Sequence, residues 1–301
     1  MKKLFVMLLI CCAAVASAKE LSILMIGNSY SLPLTKTLHH IVKASGKHKV
    51  YLASCYIGGC SLRTHWANVK KYNESLAAWY NDSLAAGDAA KIYRPYGIRY
   101  RDSSLEKQPG NKSASVVEML KERKWDVVTI QQASHESMDY KNFQPHADNL
   151  VKVIRELQPQ AEIVIQQTWS YAADANRLKK WNLDQNGMFE KVSKAYGELA
   201  AHTGFRMIPV GNAVQIWRKK IPGMDHDVVG KGPAGKRDTI HLNGNGEYMQ
   251  GCLWYALLFD EDATGVKWIP AGMKEDMAKD LRDTAQQALT EYKAAKSTGA
   301  K

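Results

Sequence analysis

Five short apolar runs, separated by segments with helical spacing, constrain the fold more than any other feature of this sequence. They begin near residues 21, 50, 127, 163 and 206. Strands that alternate with helices pair in parallel, and the crossover helices cover both faces of the resulting sheet. No internal repeat or low-complexity linker interrupts the alternation. We therefore expect an α/β domain with a five-stranded parallel sheet.

The first 18 residues have the pattern of a secretory signal peptide and lie outside this domain. Two lysines precede the apolar run Leu4–Val15, which ends in the small residues 16–18. Because the run is too short for a membrane span, we expect no stable membrane insertion and a secreted or periplasmic protein. A lipoprotein anchor on Cys12 is the alternative. The remaining residues, 19–301, are expected to form a single domain.

The charge balance is basic, with 41 Lys and Arg against 30 Asp and Glu. The basic residues occur in scattered clusters and form no single stripe, so we expect no nucleic-acid partner. Asp225–Asp227 contains a histidine between two acids, but no partner with metal-ligand spacing accompanies it. We therefore expect a flexible acidic loop there, no metal and no cofactor.

Three cysteines, Cys55, Cys60 and Cys252, remain after removal of the signal peptide. No pair of them has zinc-ligand spacing. Buried structural thiols are the expectation, and a disulfide within the trio stays open at this point.

An insertion around residues 63–111 departs from the regular alternation. Its second half, 92–111, reads as a long loop rich in tyrosine and arginine, including Tyr96 and Arg99. These residue types stack on sugars or bind acidic groups, but aromatic residues of an insertion also pack onto their own domain. Both hypotheses stand. Trp169, which follows the fourth predicted strand, is a further candidate for substrate contact.

The first predicted strand ends in the motif that carries the candidate chemistry. Leu21–Ile26 is apolar and breaks at Gly27 and Asn28, which places Ser29 where we expect the next helix to begin. Open α/β sheets bind ligands at the carboxyl ends of their strands, and an N–H at a helix N-terminus can donate to developing negative charge. Ser29 is therefore a candidate nucleophile.

The base and the carboxylate that such a serine needs occur together in a predicted loop that follows the fifth strand. We expect His241 to take the proton from Ser29, and Asp238 to orient the imidazole ring. Gly58 and Gly59 follow the second predicted strand and allow a close approach of backbone to ligand. The N–H groups of Ser29 and Gly59 are the expected oxyanion donors, with a third donor from the turn after the third strand.

In this order, the motifs resemble those of the SGNH (GDSL-like) hydrolase superfamily. Gly27–Ser29 is similar to its first block, with Asn28 where many members have aspartate, Gly59 is similar to the glycine of the second, and Asp238–His241 matches the last. The resemblance extends from residue 21 to about residue 259. It implies a flavodoxin-like three-layer α/β/α sandwich with five parallel strands, and ester hydrolysis through an acyl-serine intermediate.

The resemblance is to a secreted bacterial branch with a divergent third block. The family places an asparagine in a Gly-x-Asn-Asp turn, and His135 falls near that position when residues are counted from Asp126. Gln132 or Gln131 is the alternative, with an amide that points inward. His135 and Gln132 are equal candidates for the third oxyanion donor, unless His135 only belongs to the loop surface.

The sequence thus predicts a serine esterase that removes acyl groups, with acetyl as the expected group. The expected substrate is an acylated carbohydrate or another small ester. A non-catalytic glycan-binding protein on the same scaffold is one alternative, which the altered third block favours, and an acyltransferase is another.

Overall fold

A seven-stranded sheet lies at the centre of the protein in a computed structural model, which describes residues 17–84, 91–232 and 237–298. The strands are β1 (Glu20–Gly27), β2 (Lys49–Tyr56), β3 (Tyr96–Asp102), β4 (Lys112–Ala114), β5 (Val127–Ile130), β6 (Glu162–Gln166) and β7 (Arg206–Ile208), followed by β8 (Val229–Lys231) and β9 (Asp238–Leu242). β8 and β9 pair with each other outside the main sheet.

The helices connect these strands. They are α1 (Leu34–Ser45), α2 (Leu62–Leu84), α3 (Val116–Glu122), α4 (His146–Leu157), α5 (Asn176–Lys180), α6 (Gln185–Thr203), α7 (Val210–Lys220), α8 (Gly244–Phe259) and α9 (Glu275–Thr298). One group, α1, α8 and α9, packs together, and a second group consists of α2, α3 and α4.

Five strands of the sheet are parallel and lie in the order β2-β1-β5-β6-β7. Counted among themselves, they have the flavodoxin-like order 2-1-3-4-5. The predicted fold class is confirmed, and the five predicted strands are all present. The predicted strand count is too low, because β3 adds antiparallel to β2 and β4 adds antiparallel to β3. β3 lies within the predicted insertion, where the sequence analysis expected a loop.

Burial of β1 shows that helices cover both faces of the sheet. Ile23, Leu24, Met25 and Ile26 are each 0 % exposed. Successive side chains of a strand point to opposite faces, so a continuous apolar run is buried only between two layers. Together with the two groups of helices, this gives the predicted α/β/α arrangement.

The hairpin of β8 and β9 carries two of the candidate residues, Asp238 and His241, to the sheet edge. Val229 pairs with Leu242 and Lys231 with Asp238, in antiparallel register. Residues 233–236, between the two strands, lie outside the described residues. Because β9 spans Asp238–Leu242, both Asp238 and His241 lie on a strand and not in a loop.

Residues 1–16 of the predicted signal peptide, including Cys12, lie outside the described residues. Among the helices that the structure describes, none combines the length and apolar character needed to cross a membrane. Cys55, Cys60 and Cys252 are buried and free, so none of the three forms the disulfide that the sequence left open.

Candidate active site

Ser29 lies in the tight turn that follows β1. The N–H of Ser31 donates to the carbonyl of Asn28 over 3.0 Å, and similar bonds lead into α1, which begins only at Leu34. The prediction that the helix begins at Ser29 is therefore wrong. The serine is half-buried in a turn, with its hydroxyl at the carboxyl end of the first strand.

Ser29, His241 and Asp238 form a chain of two hydrogen bonds. Ser29 Oγ lies 2.7 Å from Nε2 of His241, and Nδ1 of the same ring lies 2.5 Å from Oδ2 of Asp238. With the Nδ1 proton donated to the carboxylate, Nε2 is free to accept from the serine hydroxyl. The structure brings these distant residues together in the geometry that activates a serine.

Asp238 accepts hydrogen bonds from two backbone N–H groups in addition to the one from the His241 ring. Its Oδ1 accepts from the N–H groups of Ile240, at 2.9 Å, and His241, at 3.2 Å. Burial raises the pKa of this carboxyl, but the two backbone donors and the His241 ring outweigh burial and hold the pKa below its usual 3.8. Asp238 is therefore ionised at neutral pH and fixes the tautomer of His241.

The carbonyl of Ile240, one residue before His241, is held by two buried aromatic side chains. Tyr30 Oη donates to it over 2.8 Å and Trp169 Nε1 over 3.0 Å. The two rings stack with centroids 3.9 Å apart, and the Tyr30 ring meets the His241 ring edge-on at 5.6 Å. This packing fixes the backbone that presents the imidazole to Ser29.

Asn28 connects three turns at the sheet edge. Its Oδ1 accepts from Tyr30 N at 3.1 Å and from Gln131 Nε2 at 2.7 Å. Its Nδ2 donates to the carbonyls of Cys60, at 3.0 Å, and Gln132, at 3.4 Å. The turns that follow β1, β2 and β5 are therefore joined through one buried amide, directly beside the nucleophile.

Gly27 is required by the closeness of these turns. Ser31 Oγ donates to Gln131 Oε1 over 2.6 Å, across the face of this glycine. A Cβ at Gly27 would overlap Ser31 Oγ and would lie 3.3 Å from Gln131 Oε1. Only glycine leaves room for this bond.

Two backbone N–H groups are available as oxyanion donors. The amides of Ser29 and Gly59 have no hydrogen-bond partner among the described residues. Gly59 follows β2, is exposed and has φ +62°, a left-handed conformation that favours glycine. Both amides follow neighbouring strands at the same sheet edge, where the sequence analysis expected them.

The two candidates for the third oxyanion donor were Gln132 and His135. Neither has a side chain that is free to donate beside Ser29. Gln132 is fully buried, its Oε1 accepts from the N–H groups of Leu62 and Ala133, and its Nε2 donates to the carbonyl of Asn142. The side chain of His135 is 44 % exposed, and the one ion-pair contact it makes among the described residues is with Glu136, at 3.9 Å. Gln132 thus serves the local backbone, and His135 lies at the loop surface.

Of the three residues expected to contact substrate, Trp169 borders the smaller cavity beside Ser29, and Tyr96 and Arg99 line neither cavity at the triad. Trp169 is 0 % exposed and stacked beneath the triad, and Tyr96 is 1 % exposed, with its hydroxyl bonded to His65 and an asparagine. Arg99 is half-buried, with its guanidinium 5.4 Å from the centre of the Tyr56 ring. The aromatic residues of the insertion pack onto their own domain because β3 extends the sheet, so the sugar-stacking hypothesis is wrong for Tyr96.

The loop expected to be flexible and acidic has a buried carboxylate. Asp227 is 7 % exposed and pairs with Arg218, whose Nη2 lies 3.0 Å from Asp227 Oδ2. Within the described ranges, no group of three His, Cys, Asp or Glu residues is placed to hold a metal ion.

Two cavities adjoin the triad. The smaller, about 230 Å³, is bounded by Ser29 and His241 and extends to Lys36, Lys231 and Glu247. The larger is an open cleft of about 670 Å³ that runs along Asp238 and past two arginines, Arg177 and Arg237. The triad therefore lies between a small cavity and a wide polar cleft.

Sequence reasoning missed Tyr30, Asn28 as a connector and Arg177. For the first two a signal existed, since both flank the candidate serine directly. Their partners, Gln131 and Ile240, belong to distant motifs, and nothing local indicates which polar side chains meet there. Arg177 lies on a short helix between predicted elements and carries no motif.

The sequence model of a family described as a domain of unknown function, DUF4886, matches residues 22–288. A crystal structure of a DUF4886 family protein from Bacteroides uniformis is similar, with 25 % identity, a TM-score of 0.75, and coverage of 90 % of this chain and 95 % of that one. No curated protein matches the sequence.

Hydrolases of the expected superfamily also occur among the similar structures. A candidate SGNH hydrolase from Slackia heliotrinireducens has 20 % identity and a TM-score of 0.45, over 77 % of this chain and 95 % of that one. A candidate GDSL-like lipase from Parabacteroides merdae has 15 % identity and a TM-score of 0.46, over 83 % of this chain and 98 % of that one. Both likenesses are too distant to carry chemistry over to this chain.

Proposed function

This chain belongs to the DUF4886 family, a domain of unknown function, and we propose that it is a serine hydrolase that cleaves carboxylic ester bonds. One observation carries the proposal: Ser29 Oγ, the His241 ring and the Asp238 carboxylate are joined by contacts of 2.7 and 2.5 Å. The fold supports the proposal because it places Ser29 at the carboxyl end of a parallel strand, where open α/β sheets bind ligands.

In the first half of the reaction, Ser29 Oγ attacks the ester carbonyl carbon while Nε2 of His241 takes the hydroxyl proton. The carbonyl oxygen becomes an oxyanion, which the N–H groups of Ser29 and Gly59 stabilise. The C–O bond to the alcohol then breaks, and the protonated His241 gives its proton to the leaving oxygen. The products of this half are the free alcohol and an acyl group on Ser29.

In the second half, water replaces the alcohol. His241 takes a proton from the water while the water oxygen attacks the acyl carbon. The tetrahedral intermediate then breaks its bond to Ser29 Oγ, His241 returns the proton to that oxygen, and the carboxylic acid and the free serine result. Asp238 stays ionised throughout, since its pKa is held below the usual value, and it stabilises the imidazolium form of His241 in both halves.

For the substrate we propose an acyl ester of a carbohydrate, with acetyl as the acyl group. The export-like residues 1–18 support a substrate outside the cytoplasm. The small cavity beside Ser29 and the wide polar cleft beyond Asp238 support a short acyl group and a larger, polar alcohol.

The direct test is hydrolysis of 4-nitrophenyl acetate by the purified protein and by Ser29→Ala. We expect the variant to lose activity by roughly 10⁴-fold or more, because the attacking oxygen is gone. His241→Ala is expected to cost about as much, since triad members act as a unit. Ser104→Ala, at an exposed serine, is the matched control and keeps full activity. Activity that survives Ser29→Ala would refute the proposal.

Covalent labelling separates this proposal from a non-catalytic glycan-binding protein. A fluorophosphonate is expected to modify Ser29, located by mass spectrometry of the digested protein, and to leave Ser29→Ala unmodified. Binding of glycans without labelling would favour the binding protein. Transfer of acetyl to a sugar hydroxyl in place of water would favour an acyltransferase.

A further inference from the structure

The open cleft beside the triad has its own arrangement of charge. It begins at Asp238, continues past the backbone of β9 and contains the side chains of Asp174, Arg177 and Arg237. In an ester hydrolase, His241 must reach the oxygen of the leaving alcohol to protonate it. Asp238 borders both this cleft and the smaller cavity that contains Ser29 and His241. An alcohol portion too large for the smaller cavity therefore extends past Asp238 into the cleft. This step rests on the proposed function.

Both carboxylates of the cleft already have partners. Asp174 accepts from Arg237 Nε over 3.0 Å and from Arg237 Nη2 over 2.7 Å, a bidentate pair. Arg237 lowers the pKa of Asp174, chiefly through this hydrogen bond, so the pair is fully charged at neutral pH. Asp238 is bonded to His241. The cleft therefore offers a substrate no free carboxylate.

Arg177, in contrast, has no carboxylate partner among the described residues. Its Nη1 donates to the Tyr171 hydroxyl at a long 3.4 Å, and the guanidinium is otherwise exposed. Four of its five N–H donors are free for a ligand. A guanidinium that lines a cleft without a counter-ion is suited to a carboxylate, which matches its planar fork.

The position of Arg177 is tied to the site. The Tyr171 hydroxyl, which Arg177 contacts, lies 2.8 Å from Ser134 Oγ in the turn after β5. Burial raises the pKa of Tyr30, the residue beneath the triad, and Arg177 acts against that rise. The Arg177 guanidinium is therefore connected to the turn after β5 through the Tyr171 hydroxyl.

We propose that Arg177 binds a carboxylate on the alcohol portion of the substrate, so that the preferred substrates are acyl esters of acidic sugars or of other acidic alcohols. Arg177 is then a specificity-determining residue. It sets which ester is bound and takes no part in the bond-breaking steps.

The test compares two esters that differ in one charge, 4-acetoxybenzoate and 4-acetoxybenzamide. For each form of the protein we take the ratio of kcat/KM between the two, so that intrinsic reactivity cancels when forms are compared. In Arg177→Gln we expect this ratio to fall by roughly 10-fold or more, as expected for loss of a hydrogen bond between charged groups. Arg177→Lys is expected to give an intermediate ratio, because it keeps the charge and loses the fork.

Lys179→Gln is the matched control, since it removes a positive charge from the same helix at a residue that does not line the cleft. We expect it to keep the parent ratio. A ratio in Arg177→Gln equal to the parent's would overturn the inference while leaving ester hydrolysis intact.

If the parent protein hydrolyses neither of these esters nor 4-nitrophenyl acetate, the proposed function fails, and binding decides the inference separately. Calorimetry with 4-hydroxybenzoate and 4-hydroxybenzamide would then be the measurement. Tighter binding of the carboxylate, lost in Arg177→Gln, supports the role of Arg177. Equal binding of the two compounds overturns it.

Discussion

At the scale of single residues, Asp238 is the most constrained member of the triad. Its two oxygens accept from Ile240 N, from His241 N and from His241 Nδ1. The same side chain therefore shapes the end of β9 and selects the tautomer of the ring. Any replacement acts on both functions, unless it keeps the acceptor for the backbone and changes only the group that faces the ring.

Asp238→Asn is such a replacement. Its amide oxygen can still accept from the two backbone N–H groups, but its NH₂ then faces Nδ1. The ring must accept at Nδ1 and carry its proton on Nε2, so it no longer takes the proton of Ser29. We expect kcat for 4-nitrophenyl acetate to fall by about 10⁴-fold, with the denaturation midpoint close to the parent's.

The control for this variant is Asp225→Asn, at an exposed acid on the segment that leads to β8. It is expected to keep kcat. If Asp238→Asn retained a tenth of the parent's kcat or more, Asp238 would not be the residue that sets the tautomer.

The catalytic candidates could be predicted at this scale because their motifs are local. Gly27–Ser29 and Asp238–His241 each place a side chain at a defined point of a short motif. The third oxyanion donor could not be predicted from the sequence, since the run Gln131–Glu136 offers several polar side chains to the same turn. Which of them faces the site depends on partners such as Leu62 N and Asn142 O, which come from distant segments.

At the scale of elements, the hairpin of β8 and β9 positions two of the three triad residues without belonging to the main sheet. A buried ion pair holds its first strand. Arg218 and Asp227 have side chains only 8 % and 5 % exposed, and Arg218 also donates to Ser170 Oγ and to two carbonyls after β6. Asn243 Nδ2 donates to the Asp227 carbonyl over 2.7 Å and caps α8 with its own oxygen.

Asp227→Ala is expected to lower the free energy of unfolding by about 3–5 kcal/mol, because it leaves the Arg218 guanidinium buried without its counter-ion. We expect a loss of kcat as well, since the hairpin carries Asp238 and His241. Urea denaturation gives the stability, and hydrolysis of 4-nitrophenyl acetate gives the activity. The double variant Arg218→Met, Asp227→Leu is expected to lose much less stability than the sum of the single variants.

An exposed pair is the control for burial. Lys279 and Asp283 are 2.6 Å apart on α9, with side chains 67 % and 35 % exposed. Asp283→Ala is expected to change the free energy of unfolding by less than about 0.5 kcal/mol. Equal effects of Asp227→Ala and Asp283→Ala would show that the buried pair does not hold the hairpin.

The parallel strands could be predicted because each is a continuous apolar run, as burial between two helical layers requires. β3 was missed although Tyr96, Ile98 and Tyr100 alternate inward along it. The positions between them are Gly97 and two arginines, which are less buried and are also common in loops, so the segment was interpreted as a loop. The β8–β9 hairpin was missed because its strands are short and neither is apolar throughout.

At the scale of the whole molecule, two buried histidines link folding to pH. His65 is 0 % exposed, with Nδ1 2.9 Å from the Tyr96 hydroxyl, and burial lowers its pKa to about 3. His39 is 8 % exposed, and its pKa falls to about 4, first through burial and then through His40, Arg101 and Lys43. Both rings are therefore neutral in the folded protein at neutral pH.

This neutrality predicts the acid sensitivity of the fold. In the unfolded chain both rings bind a proton below their ordinary pKa of 6.5, whereas the folded protein excludes it down to about pH 4 for His39 and about pH 3 for His65. The unfolded state therefore binds more protons in this window, so the free energy of unfolding falls as the pH falls from 6.5 towards 4. Each ring contributes a slope of up to about 1.4 kcal/mol per pH unit.

The change of the free energy of unfolding with pH, measured by urea denaturation between pH 4.5 and 7, tests the role of the two histidines. This slope is independent of any overall loss of stability in a variant. His65→Gln and His39→Gln are each expected to reduce it by up to about 1.4 kcal/mol per pH unit, because the variant side chain binds no proton in either state. His226→Gln, at an exposed histidine, is expected to keep the parent slope. If all three variants kept the parent slope, the slope in this range would come from His40 and His146, whose pKa values are also lowered from 6.5. The carboxylates with lowered pKa values, among them Asp174, Asp238 and Glu261, would add to it only below their ordinary values of 3.8 to 4.5.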